Sequence, residues 1–166
     1  MRVALAIVVP LAAALLQGSV VPFMAVAGAR PNLVVLVAAS WAVAAGAREA
    51  VWWAFLGGLA ADLLSGGPLG ALALASLIPV AAVGLVDKQL RPRSALAGAL
   101  LVGIASLAAG LLYLAILALA GATLDPARLV AASASGAVYN GVLAIATYPL
   151  SRTLRRTTEK QASFGW

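Results

Sequence analysis

Long apolar runs make up most of this chain, and short groups of charges, prolines and glycines divide them. The divisions predict helices over about 3–21, 31–46, 50–64, 70–86, 94–120 and 129–150. A basic tail, "SRTLRRTTEKQASFGW", occupies 151–166. A helix needs about 20 apolar residues to cross the hydrocarbon core of a bilayer. Most of these runs approach that length; the second and third are short. Arg48 and Glu49 lie between those two and would be expensive at mid-membrane, so they predict two spans rather than one re-entrant pair. "SGGPLG" (65–70) reads as a turn in which glycine supplies positive φ and Pro68 fixes its own. "DKQLRPR" (87–93) reads as a loop, and "GATLDPAR" (121–128) as a second turn.

Composition turns this pattern into a solvent assignment. Hydrophobic residues are 64% of the 166, and charged residues only 10%. Soluble domains carry about 25% charge. The expectation is an all-α polytopic membrane protein with six transmembrane helices in a single domain, 1–150. The first apolar run is long and more runs follow it, so it reads as an uncleaved helix rather than a signal peptide.

Charge then orients the chain. With an even number of spans, Arg2, Arg48, Lys88, Arg91, Arg93, Arg152, Arg155, Arg156 and Lys160 share one side. Only Arg30 and Arg128 fall on the other. Cytoplasmic loops carry the excess of Lys and Arg, so both termini are expected in the cytoplasm and the 65–70 turn outside. Lys88, Arg91, Arg93, Arg152, Arg155 and Arg156 then face anionic lipid headgroups as topology anchors. The net charge of +6 is explained in this way without nucleic acid. Trp41, Trp52, Trp53 and Tyr148 read as interfacial anchors, and Pro10, Pro79 and Pro149 as points where a helix bends or ends.

Candidate chemistry is sparse. The absence of Cys and His removes thiol chemistry, the usual zinc and haem ligands, and the commonest general base. No phosphate loop or nucleophile–base pair is legible, so neither a cofactor nor an enzymatic activity is expected. Asp62 is the exception, a lone acid in "AFLGGLAADLLSGGPLG". Ala54, Gly58 and Asp62 share one helix face, with Gly57 and Ala61 as a parallel small-residue pair. Such faces let helix backbones approach closely where lipid supplies no hydrophobic drive. Asp62 is expected to tie down the "SGGPLG" turn, with Gly66 and Gly70, or the start of the next helix; a partner interface and an ion-coupled site are the alternatives. Asn140 in "AVYNGVLAIATYPL" and Gln17 in "ALLQGSVV" read as interhelical hydrogen-bonding groups.

The order of these features resembles the MreD family of bacterial rod shape-determining proteins. "LQGSVVPFMAVAGARPNLVVLV" resembles the family's first helix, outer loop and Pro-initiated second helix. "GAREAVWWAFLGGLAADLLSGGPLG" resembles its Gly-rich helix ending in an acid and a glycine turn. "VYNGVLAIATYPLSRTLRR" resembles its last helix, with an early Asn and a basic end. The resemblance covers about residues 1–157. The family commonly has Pro-Asp at the head of the second helix, where this chain has Pro31-Asn32.

The resemblance implies a non-catalytic scaffold in the cytoplasmic membrane. It further implies association with an MreC-like bitopic protein, and through it with the RodA glycosyltransferase, a class B penicillin-binding protein and MreB, in support of lateral peptidoglycan synthesis. It also implies a fold similar to the substrate-binding subunits of energy-coupling-factor transporters, which makes a vitamin-binding subunit the alternative. The outer side then offers only Asn32, Asp62, Ser65, Thr123 and Asp125 as polar groups, thin for a specific ligand pocket.

Overall fold

The computed structural model describes residues 2–26, 28–85, 92, 94–123 and 125–164. Asp87, Lys88, Arg91 and Arg93 lie outside the described residues. The helices are α1 (Arg2–Ser19), α2 (Leu33–Ala45), α3 (Ala47–Ser65), α4 (Ala71–Gly84), α5 (Ala95–Leu119) and α6 (Pro126–Phe164), with a short 3-10 turn at Val21–Met24. No strand occurs among the described residues.

α2 forms the centre. Its sequence, LVVLVAASWAVAA, carries no charge and is apolar on every face, the signature of a helix enclosed by protein. Val34, Val35, Leu36 and the run from Ala38 to Ala44 are buried, and α2 touches all five other helices. At 13 residues it rises only about 20 Å, well short of the roughly 30 Å hydrocarbon core. Its neighbours supply its surroundings, so it has no need to match the lipid. α5 and the Pro126–Thr158 stretch of α6 are the helices long and apolar enough to cross a bilayer by themselves.

Two sequence readings change, and that of the prolines narrows. Trp41 and Trp53 are 4% exposed and stack with ring centroids 4.6 Å apart in the core, and Tyr148 is 1% exposed. Of these aromatics only Trp52, at 61%, lies on the surface. Pro10, Pro79 and Pro149 all sit inside helices, and none ends its helix. Finally, α6 does not stop near residue 150 but runs on to Phe164. That stretch contains no Gly or Pro to break it. Ser151, Thr153, Thr157 and Thr158 hydroxyls donate back to the carbonyls of Thr147, Pro149, Leu154 and Arg155, which keeps these polar residues compatible with a helix.

Candidate functional site: a polar lattice around the central helix

Buried polar side chains in this molecule hold backbone ends. At the start of α2, Asn32 caps its own helix, its Oδ1 accepting from Val35 N at 3.1 Å. Two amides from other helices then grip the backbone on either side of it. Asn140 of α6 accepts from Asn32 N at 3.0 Å and donates to Asn32 O at 3.0 Å. Its Nδ2 also donates to Ser106 Oγ of α5 at 2.9 Å. Gln17 of α1 accepts from Leu33 N at 2.7 Å and donates to Pro31 O at 3.3 Å. The amides thus satisfy the Asn32 and Leu33 N–H groups and the Pro31 carbonyl, as burial of backbone polar groups demands, and give the Asn32 carbonyl a second bond beside that from Leu36 N. Pro31, with no N–H of its own, adds no donor to be satisfied. Gly136 of α6 makes room for this segment, because a Cβ there would lie 2.9 Å from the Arg30 carbonyl oxygen.

α6 holds α2 at two further levels. Ser40 and Thr147 hydroxyls pair at 3.0 Å. Arg155 Nη1 donates to Ala44 O at 2.6 Å, placing a cation on the C-terminal carbonyls of α2. A cation there interacts favourably with the helix dipole. Asn140, Thr147 and Arg155 therefore meet Asn32, Ser40 and Ala44 in the same order, so α2 and α6 run parallel.

Asp62 lies at the α3–α4 contact, 3% exposed. Its Oδ1 and Oδ2 each accept from Leu72 N at 3.1 Å, and Oδ2 also accepts from Ala73 N at 3.4 Å. These donors belong to the first turn of α4, not to the glycines of the loop. α4 needs an outside acceptor because its N-cap is Gly70, which has no side chain to offer. Asp62 supplies the cap from the preceding helix and puts a carboxylate on the positive end of the α4 dipole. Gly66 (φ 69°) and Gly70 (φ 87°) adopt the left-handed backbone that the connection requires. Ser65 Oγ donates to Asp62 O at 3.1 Å.

The small residues beside Asp62 set the spacing. A Cβ on Gly58 would lie 2.5 Å from Ala73 Cα. At the far end of the same helix pair, a Cβ on Gly84 would lie 2.5 Å from Ala47 Cα. Between them Ser76 Oγ reaches Ala54 O at 3.4 Å. Gly57 faces the other way, toward Pro10 of α1 and Val34 of α2. Ala54, Gly58 and Asp62 thus meet Ser76, Ala73 and Leu72 along one antiparallel seam.

Among the remaining candidate residues, Arg152 sits over the Tyr148 ring at 5.7 Å, and Arg156 is exposed. Asp125 pairs with Arg128 at 3.1 Å on the exposed start of α6. Sequence reasoning missed the Arg155–Ala44 and Ser40–Thr147 ties and the Gly84–Ala47 crossing. A glycine at the end of an apolar helix was the available signal for the last; nothing in the sequence pairs residues so distant as 44 and 155. No group of three or more carboxylates that could hold a metal occurs among the described residues.

Comparison with curated proteins and with solved structures found no match. The family described as rod shape-determining protein MreD matches over residues 1–158. With essentially its whole length covered, and with apolar helices suited to a bilayer, the chain belongs to the MreD family of rod shape-determining membrane proteins.

Proposed function

We propose that this chain is a non-catalytic membrane scaffold of the bacterial cell-wall elongation machinery. In this reading all six helices lie in the cytoplasmic membrane, with both termini and the basic end of α6 on the cytoplasmic side. Its direct partner is an MreC-like bitopic membrane protein. RodA, a class B penicillin-binding protein and MreB are reached through that partner, in support of lateral peptidoglycan synthesis. Membrane family membership supports this placement, as does the bias of Arg and Lys toward one side of the chain.

The observation that carries the scaffold reading is the use of the buried polar groups. Asn32, Asp62, Asn140 and Gln17 are all engaged with helix backbone inside the molecule. A rigid assembly needs such ties, whereas a ligand site needs polar groups aimed at an open cavity. The alternative, a vitamin-binding subunit with the energy-coupling-factor fold, has few free polar groups to draw on, since Asn32, Asp62 and Asp125 already have partners.

The deciding experiment is purification from native membranes in mild detergent, with calorimetric titration of the purified protein. Copurification of a one-span partner and no heat of vitamin binding is the expected result. Tight vitamin binding would overturn the scaffold reading.

A further inference from the structure

A groove of about 470 Å³ runs between α5 and α6. Its walls are apolar, and Leu100, Ile104, Val138 and Ile145 are largely exposed along it. Gly103 and Gly141 face each other within it. These two glycines differ from Gly58, Gly84 and Gly98, where a Cβ would collide with a neighbour. A Cβ on Gly103 would stand 3.5 Å from Ala137 O, and one on Gly141 would stand 3.8 Å from Ala99 O. Both are ordinary van der Waals separations, so the α5–α6 crossing tolerates alanine at either position. Glycine inside a helix is nonetheless less stable than alanine by roughly 0.5–1 kcal/mol. The effect of these glycines is to deepen the groove.

The groove has a basic end. Its α6 wall, Val138, Val142 and Ile145, continues at helical spacing through Pro149 to Arg152 and Arg156. Arg152 is held over the Tyr148 ring, and Arg156 is exposed. The α6 wall from Ala134 to Ile145 rises roughly 16 Å, about half of the ~30 Å hydrocarbon core. Arg152 lies roughly 10 Å further along the helix axis, near where a headgroup would begin. Measured from Arg152, the groove begins roughly 10 Å inward and passes the bilayer midplane at about 15 Å, so its nearer part lies in the leaflet of the cationic end. An apolar slot that leads to paired cations suits an amphiphile with an acyl chain and an anionic head.

The geometry points to a bound anionic phospholipid, with an acyl chain between α5 and α6 and its phosphate against Arg152 and Arg156. The inference rests on the membrane placement of the chain and not on its scaffold role. It differs from general attraction of basic residues to the membrane, because it assigns the lipid a fixed position and a glycine-lined slot.

The test uses the full-length protein in nanodiscs of mixed phosphatidylglycerol and phosphatidylcholine, with retained lipids counted by native mass spectrometry after release. The wild type should retain one phosphatidylglycerol with about fivefold preference, the factor that one basic group near an anionic headgroup supplies. Arg152→Gln combined with Arg156→Gln should abolish the preference yet keep a retained lipid of either type. Gly141→Leu should lose the retained lipid. Val138→Trp, at an exposed position where folding is not at risk, should lose it as well. No preference in the wild type, or unchanged retention in both groove variants, would overturn the inference. So would a wild-type dimer that Val138→Trp dissociates, since a second copy would then occupy the groove. Failure to enter nanodiscs at all would instead remove the membrane placement and the lipid site with it.

Discussion

Asn140 of α6 and Asn32 at the head of α2 are joined by two antiparallel hydrogen bonds, each 3.0 Å long, between one side-chain amide and the N–H and C=O of one residue. The pair is a strand-like contact made by a side chain. It fixes the start of α2 against α6.

Replacing Asn140 by Ala leaves the N–H of Asn32 without its partner, takes one of two bonds from the Asn32 C=O, which keeps Leu36 N, and removes the bond to Ser106. An unsatisfied buried polar group costs about 1–3 kcal/mol. Asn140→Ala should lower the thermal midpoint in detergent clearly, while Asn140→Asp, which keeps an acceptor and loses the donor, should fall between. A midpoint equal to wild type for Asn140→Ala would show that Gln17 alone holds this segment.

Asp62→Asn changes one oxygen to an NH2 that faces the N–H groups of Leu72 and Ala73. Donor then meets donor. We expect a loss of about 1.5–3 kcal/mol, the range for a hydrogen bond to a charged group, with assembled protein still recovered. Faster amide hydrogen exchange at Leu72 and Ala73 is the specific readout. Unchanged exchange there, together with loss of copurified partner, would move Asp62 from the α4 cap to an interface.

Gly98 lies against the ring of Tyr148, which occupies the space a Cβ would need. Gly98→Ala should therefore displace Tyr148 and its hydrogen bond to Pro92 O, which is 2.5 Å long. Overpacking of this kind costs roughly 1–3 kcal/mol. In the Tyr148→Ala background the same Gly98→Ala change should have almost no further effect. Additive losses in the double variant would show that the two sites do not touch.

Arg155→Ala should loosen the C-terminal end of α2 and the far part of α6, with a loss of about 0.3–2 kcal/mol from the helix-terminus interaction. Arg155→Lys should recover part of it. Protease sensitivity beyond residue 150 measures the second effect directly, and identical cleavage in wild type and Arg155→Ala would show that the Ala44 contact does not hold α6 in place.

The helices were legible because apolar runs and their glycine and proline breaks directly reflect what a bilayer or a buried core excludes. Asp62 was legible as a tie, since a lone acid beside a glycine turn has few other partners, although the sequence left the turn and the next helix equally open as donors. Trp41, Trp53 and Tyr148 were misread as interfacial. An aromatic next to a charge carries the same sequence signal whether it faces headgroups or lies in the core with a charged partner, as Trp41 does in donating to Glu49 at 3.2 Å. The extension of α6 was missed for a related reason. A polar stretch free of Gly and Pro can be helix or coil, and a contact to Ala44, remote in sequence, favours the helix. The slot at Gly103 and Gly141 was invisible, because glycine required by packing and glycine that leaves space are the same letter.

The short central helix has a consequence for how the protein responds to its membrane. Hydrophobic mismatch acts only on surfaces that lipid wets, and its cost is a fraction of a kcal/mol per Å. α2 is enclosed by protein, so thinning or thickening the bilayer exerts no direct force on it. In the proposed membrane placement the strain falls on α5 and α6, the helices long and apolar enough to span the core. Because Asn140, Thr147 and Arg155 fasten α6 along α2, tilting of α6 carries the buried helix with it. In that placement, bilayer thickness is transmitted to a helix enclosed by protein.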